Sequence, residues 1–411
     1  MTTALSPAAP TAPTAPTHGD TLSPVPGVNG PSLAAARPDP ADLDPRRALD
    51  EVTRWRHDGA AADRFPYRAV LGHYRAVGKN AVGAELLTAL RAVAPSDDTA
   101  APDGTAAADP HTAGDPAARL LADWLPQVVD GRQGDYDSYL GTPVYAALAA
   151  AGADTDQVIT ALLADVVAIE AAALPGNPAG LPRTRAALRA LTATAGLPTV
   201  APGEPEALVA ACAEAVAAAR AAVPAGVLRA VELTLTPTTR GHDELMFIRV
   251  IQIFEAVFAA VGRAVAGATA AVADGRAGRA RDLLVEATRQ VTGTSGVFRV
   301  LTTMPKDAFA VIRANTDGRS AVQSRAYRGV ERSCPTLHLA LLASGLPQDE
   351  LGPVMAGLDE AWGAMKRTHW GITMKIIGSV RGTGGTAGAA YLREAAEARL
   401  FPALRPAQPA G

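Results

Sequence analysis

The stretch Gly241–Phe258, GHDELMFIRVIQIFEAVF, decides the fold class. Phe247, Ile251, Phe254 and Phe258 recur at three- and four-residue spacing, which places them on one helical face. Asp243 is expected to cap the helix start, and Glu244 suits the positive end of the helix dipole. The apolar run continues to Val272 but is interrupted by Arg249, Glu255 and Arg263, so it reads as a buried core helix and not a bilayer span.

Outward from this helix the same periodicity recurs. It predicts helices near 117–129, 142–152, 155–173, 181–195 and 205–222, then at about 243–273, 275–292, 304–314, 321–332, 347–377 and 386–400. VELTLTP (Val231–Pro237) has some strand-like alternation, but it is short and ends at a proline. The expected class is all-α. Residues 1 to about 60 are rich in Pro, Ala and Thr, bury little apolar surface, and read as a disordered tail. Residues 61–133 read as an N-terminal helical extension containing a low-complexity loop at 95–116.

Composition narrows the function classes. The net charge of −3 gives no broad attraction to nucleic acid or anionic membrane. Cys212 and Cys334 are too few for a disulfide framework or a zinc site, and no C-x-x-C-H pattern offers covalent haem attachment. The N-terminus lacks a basic region followed by an apolar one, so a soluble cytoplasmic protein is expected.

Three further stretches carry chemistry. In MPKDAFAVIRANTDGRS (Met304–Ser320), Arg313 lies one turn after Phe309 on a mostly apolar segment and needs an anionic partner, either a protein carboxylate or a ligand. In MKRTHWGITMKIIG (Met365–Gly378), His369 shares a face with Met365, Ile372 and Ile376; it is either a satisfied core histidine or a metal or haem ligand. The following GTGGTAG (Gly382–Gly388) offers backbone N–H groups and the hydroxyls of Thr383 and Thr386, but follows no strand, so it is not a dinucleotide fingerprint. YDSYL (Tyr136–Leu140) puts two tyrosines three residues apart on one helical face.

Taken in chain order, YDSYL, HDELMFI, MPKDAFAVIRANTDGRSAVQSRAYR and HWGITMKIIGSVRGTGGTAGAAYLR resemble the tryptophan 2,3-dioxygenase family. That family carries Y-x-x-Y-L, H-D-E-x-x-F-I, an M-x4-F-x2-(F/I)-R segment with a downstream S-x2-Q-S, and an H…G-T-G-G-(S/T)-x-G…Y-L-R segment. The resemblance covers roughly 134–145 and 240–400, and makes the intervening 150–230 an apparent helical insertion into a haem-binding domain at 134–411.

The resemblance implies an all-α homotetramer in which His369 is the axial ligand of a non-covalent b-type haem. Gly382, Gly384 and Ser320 would lie beside the haem, and O₂ would be co-substrate. Arg313 would hold the carboxylate of an aromatic amino acid and Thr383 its ammonium, with Phe309 and Phe247 against the ring. Tyr136 and Tyr139 would reach in from a neighbouring subunit. One position departs from the pattern. Where the family has a histidine that accepts the indole N–H, this chain has Ile251, and an N–H left without an acceptor there costs about 1–3 kcal/mol. The ring is therefore an indole with another acceptor, a modified indole, or a different aromatic ring. The implied reaction is insertion of O₂ into tryptophan or an analogue to give an N-formylkynurenine-type product. The alternatives are insertion of a single oxygen atom, or a haem protein without chemistry.

Overall fold

The computed structural model describes residues 40–93, 115–129, 136–199, 204–316, 324–376, 389–402 and 404, and over these the chain is all-α with no strand. The helices are α1 (Pro45–His57), α2 (Tyr67–Val77), α3 (Ala84–Arg91), α4 (Pro116–Val129), α5 (Tyr136–Leu140), α6 (Thr142–Ala150), α7 (Thr155–Ala173) and α8 (Leu181–Ala195). They continue as α9 (Pro205–Ala221), α10 (Ala225–Leu233), α11 (His242–Ala273), α12 (Ala277–Leu301), α13 (Lys306–Asn315), α14 (Arg325–Ser344), α15 (Gln348–Ile376) and α16 (Ala389–Glu397). The alternating VELTLTP is no strand: its first residues finish α10.

The tail ends earlier than its composition suggests. Asp44 caps α1 by accepting from the Arg46 N–H at 2.9 Å, Pro45 follows at the first helical position, and Ala48, Val52 and Trp55 are buried. Ala48, Val52 and Trp55, at four- and three-residue spacing, form a helical stripe hidden in a polar, proline-bearing sequence. Trp55 meets Phe65 edge-on at 5.0 Å, and Phe65 and Tyr67 both meet Trp124 of α4, at 5.7 and 4.9 Å. These rings give α1–α4 a core of their own. Most of the expected 95–116 loop lies outside the described residues.

The main core surrounds α11, which packs against α7, α12 and α14, while α12 packs on α8 and α15. Helices α7, α8 and α9, the apparent insertion, share this core; their Val166, Leu191 and Leu208 are buried in the same cluster as Phe254 and Val261 of α11. The predicted end of α12 near 292 is wrong, because the helix runs through Gly293 and Gly296 to Leu301. A Cβ on Gly296 would sit 3.5 Å from the Ala190 Cβ, so this glycine marks close approach to α8 and not a chain break. Helix α14 likewise extends beyond the predicted 332, through Pro335, to Ser344.

Charged interruptions do not disqualify a span by length and composition: Thr155–Gly176 and His242–Ala273 are both long and apolar enough to cross a bilayer. Here the most apolar windows of the two segments are 78% and 56% buried inside the protein. They pack on each other around a buried ion pair. Arg249 of α11 is 0% exposed, and its Nε and Nη2 both reach Asp165 Oδ2 of α7 at 2.7 Å. The same guanidinium donates to the Val231 carbonyl at 2.7 Å and to Gln252 Oε1 at 2.8 Å. Gln252 in turn donates to the carbonyls of Leu140 and Thr234, each at 2.9 Å. Gly141, at φ +63°, fits here because a Cβ would lie 2.6 Å from Gln127 Oε1 and 2.7 Å from Thr234 Cγ2.

Candidate functional site

Helix α11 begins without a side-chain cap. Gly241 occupies the N-cap and Asp243 lies inside the first turn, where it pairs with Arg183 at 2.6 Å instead of capping. Glu244 is fully buried and accepts from the backbone N–H groups of Thr238 and Thr239 at 2.8 and 2.7 Å, and from both hydroxyls, so it ties the preceding loop to the helix. Tyr139 adds a hydroxyl donor to Glu244 at 3.2 Å. Three turns further along, Tyr136 donates to Glu255 Oε1 at 2.5 Å. The YDSYL segment therefore docks on α11 of its own chain.

The aromatic face of α11 opens onto a cavity with about 540 Å³ not filled by atoms, part of it continuous with solvent. Ile251, Phe254 and Phe258 line it from α11, Phe298 and Leu301 from α12, Tyr327 from α14, and Met365, Lys366 and His369 from α15. The walls are rigid where rings interlock: Phe258 meets Tyr327 at 5.4 Å and Trp362 at 5.4 Å, and Phe254 meets Phe298 at 4.6 Å. Phe298 also lies 6.5 Å from the His369 ring.

His369 is the cavity's imidazole. Burial pulls its pKa below the usual 6.5, so the ring is neutral near pH 7. Among the described residues nothing hydrogen-bonds either ring nitrogen, whereas its backbone carbonyl accepts from Thr373 at 2.9 Å. A neutral imidazole facing an apolar, aromatic-walled space could serve as an iron ligand for a bound haem. Ile251 lines the same cavity and offers it no hydrogen-bonding group.

Of the other expected residues, Phe247 and Phe309 come together edge-on at 5.6 Å and 70°, beside Ile251 and outside the cavity wall proper. Arg313 follows Phe309 by one turn of α13, half-buried, and α13 packs on α11. Ser320, Gly382, Thr383 and Gly384 lie outside the described residues.

Several groups here escaped the sequence reading. Phe298 was hidden behind two glycines, and Tyr327 sits one turn beyond the Ser324 N-cap whose hydroxyl accepts from its N–H at 3.0 Å. Glu255 reads in sequence as a charged interruption; its environment shows a partly buried carboxyl bonded to Tyr136 and Ser324. A second, larger cleft of about 1110 Å³, part of it open to solvent, lies between α8 and α12 and is also lined by Asp156 and Ile159 of α7 and by Ile253 and Val257 of α11. Its Arg289 is already paired with Asp156 at 2.6 Å and with Glu286 at 2.5 Å. No protein-family model and no curated protein matches the chain.

Proposed function

We propose that the chain is a haem-dependent oxygenase of an aromatic amino acid, built on a helical bundle of the tryptophan 2,3-dioxygenase type. The observation that carries this reading is the neutral imidazole of His369, without a hydrogen-bond partner among the described residues, in a cavity walled by Phe254, Phe258 and Phe298. A structural histidine in an apolar core ordinarily satisfies its polar atoms within the protein. The meeting of Phe247 with Phe309, and the place of Arg313 one turn on, support an amino-acid site next to that cavity.

His369 and the aromatic wall would hold the haem, which when bound supplies a ferrous iron able to take up O₂. The work of the chain is positioning. The planar fork of Arg313 suits a substrate carboxylate through two parallel hydrogen bonds. Phe247 and Phe309 offer edge and face to an aromatic ring. Two anchored ends fix a ring relative to the iron far better than either alone. The interlocked rings of α11, α12 and α14 give the reacting space apolar walls. The expectations of a homotetramer, of a cytoplasmic protein and of Thr383 as the ammonium contact stay part of this proposal.

Ile251 favours a second reading, insertion of one oxygen atom, because the usual indole acceptor is missing from its position. Two measurements test the set. Protein reconstituted with hemin should show a Soret band, and His369→Ala should abolish it or sharply reduce haem content; a preparation that stays colourless after reconstitution overturns the proposal. Reduced holoprotein given L-tryptophan and ¹⁸O₂ should yield a product carrying two labelled oxygens. One label moves the assignment to a monooxygenase, and none leaves a haem protein without this chemistry.

A further inference from the structure

Resting on the haem-oxygenase reading, we infer that Glu255, held by Tyr136 and Ser324, is the hydrogen-bond acceptor for a donor on the ligand's aromatic ring, an indole N–H or a phenol O–H. At about 100° per residue, Glu255 lies about 40° round the α11 axis from Ile251 and one turn further along. Ile251 and Phe254 both line the cavity, so Glu255 stands at the edge of the cavity stripe, on the side covered by α5 and the start of α14. Ile251 is shared: it lines the cavity and also packs in the small cluster that contains Tyr136, Tyr139 and Phe247. The residue that cannot accept a hydrogen bond and the nearest carboxyl on its helix are therefore adjacent.

Its bonding leaves that carboxyl with capacity to spare. A carboxylate has about four acceptor positions. Tyr136 occupies one on Oε1 at 2.5 Å, and the Ser324 hydroxyl is a second neighbour. Tyr136 is a fixed donor, since burial and the adjacent carboxylate hold its pKa well above 10.0. No guanidinium or ammonium pairs with Glu255 among the described residues, in contrast to Glu170, Asp165 and Asp359, each of which has a cation within 3.5 Å. Burial raises the pKa of Glu255 accordingly. A partly buried carboxyl without a counter-ion among the described residues, beside the cavity that His369 faces, is placed to act on a ligand.

The bland alternative is that Glu255 merely anchors α5, and the test separates the two. Binding is read as the shift of the Soret band in the hemin-loaded protein. The probes are L-tryptophan against 1-methyl-L-tryptophan, and L-tyrosine against O-methyl-L-tyrosine. Wild type should prefer the unmethylated member of one pair by about tenfold or more. Glu255→Met should erase that preference with haem loading intact, whereas Tyr136→Phe, which breaks the same α5 anchor and keeps the carboxylate, should retain it. If Glu255→Met loses haem, Glu255→Gln should still reduce the preference. No preference in wild type, an equal loss in both variants, or full preference in Glu255→Gln overturns the assignment and leaves the haem reading standing. Absence of a Soret band, or of a shift with any of the four, sinks both.

Discussion

Two polar side chains sit on long apolar helices of this molecule, Arg249 on α11 and His369 on α15, and they could hardly be treated more differently. Arg249 is closed in on every side, with Asp165, Val231 and Gln252 all within 2.8 Å. His369 has no such partner among the described residues and faces a cavity. The contrast separates a group that holds the fold together from one poised for something the protein chain does not itself contain. Arg249 is fully buried and His369 only half-buried, and hydrogen-bond satisfaction separates them further.

The comparison can be broken by substitution. Arg249→Ala strands Asp165 and Gln252 in the core and should lower unfolding stability by about 3–5 kcal/mol in denaturant titrations. The folded fraction should still load haem normally. His369→Ala should do the reverse, eliminating the Soret band while shifting the apoprotein's denaturation midpoint by less than about 1 kcal/mol of stability. A large stability loss in His369→Ala would place that histidine with Arg249 as a structural group. Arg313→Ala should weaken amino-acid binding by about 2–3 kcal/mol, measured by Soret titration with haem content unchanged; wild-type affinity would remove it from the site.

The smallest effect is one of pH and concerns a different histidine. His242 lies 3.3 Å from Glu170, and that hydrogen-bonded carboxylate raises its pKa above 6.5. Asp243 raises it further, while burial and Arg183 act against it. A base with a raised folded-state pKa contributes stability that is complete below pH 6.5 and fades as pH climbs through the raised value. Because the ring is partly exposed, the contribution should be only a few tenths of a kcal/mol, ~0.5 at most. His242→Asn should flatten the stability profile above pH 6.5; an unchanged slope would show that the pair is not felt.

Much of the fold was legible where packing is local. The three- and four-residue spacing located the helices from α4 to α16 except α10, because each buries a stripe of its own. Errors arose where local rules yield to neighbours. The run of α12 beyond 292, through Gly293 and Gly296, is not legible because nothing in the sequence says that Ala190 lies opposite. Helix α1 was lost in a proline-rich background although Ala48, Val52 and Trp55 repeat correctly. The Arg249–Asp165 pair spans 84 residues, and no periodicity reports it. At the site, His369 and Ile251 were marked in advance and do line one cavity. Tyr136 and Tyr139 bond to Glu255 and Glu244 of the same chain, a pairing across more than 100 residues that no periodicity reports.

The Arg249 cluster also bears on how the chain avoids wrong assembly. Its bonds draw on α7, α10, the residue after α10, and, through Gln252, the end of α5. Sliding α11 along α7 by one turn would keep greasy surfaces in contact, since both are rich in Ala and Val, but would leave a guanidinium naked in oil. The cluster thus works as a keyed joint: interchangeable apolar flanks supply adhesion, and one cation permits a single alignment.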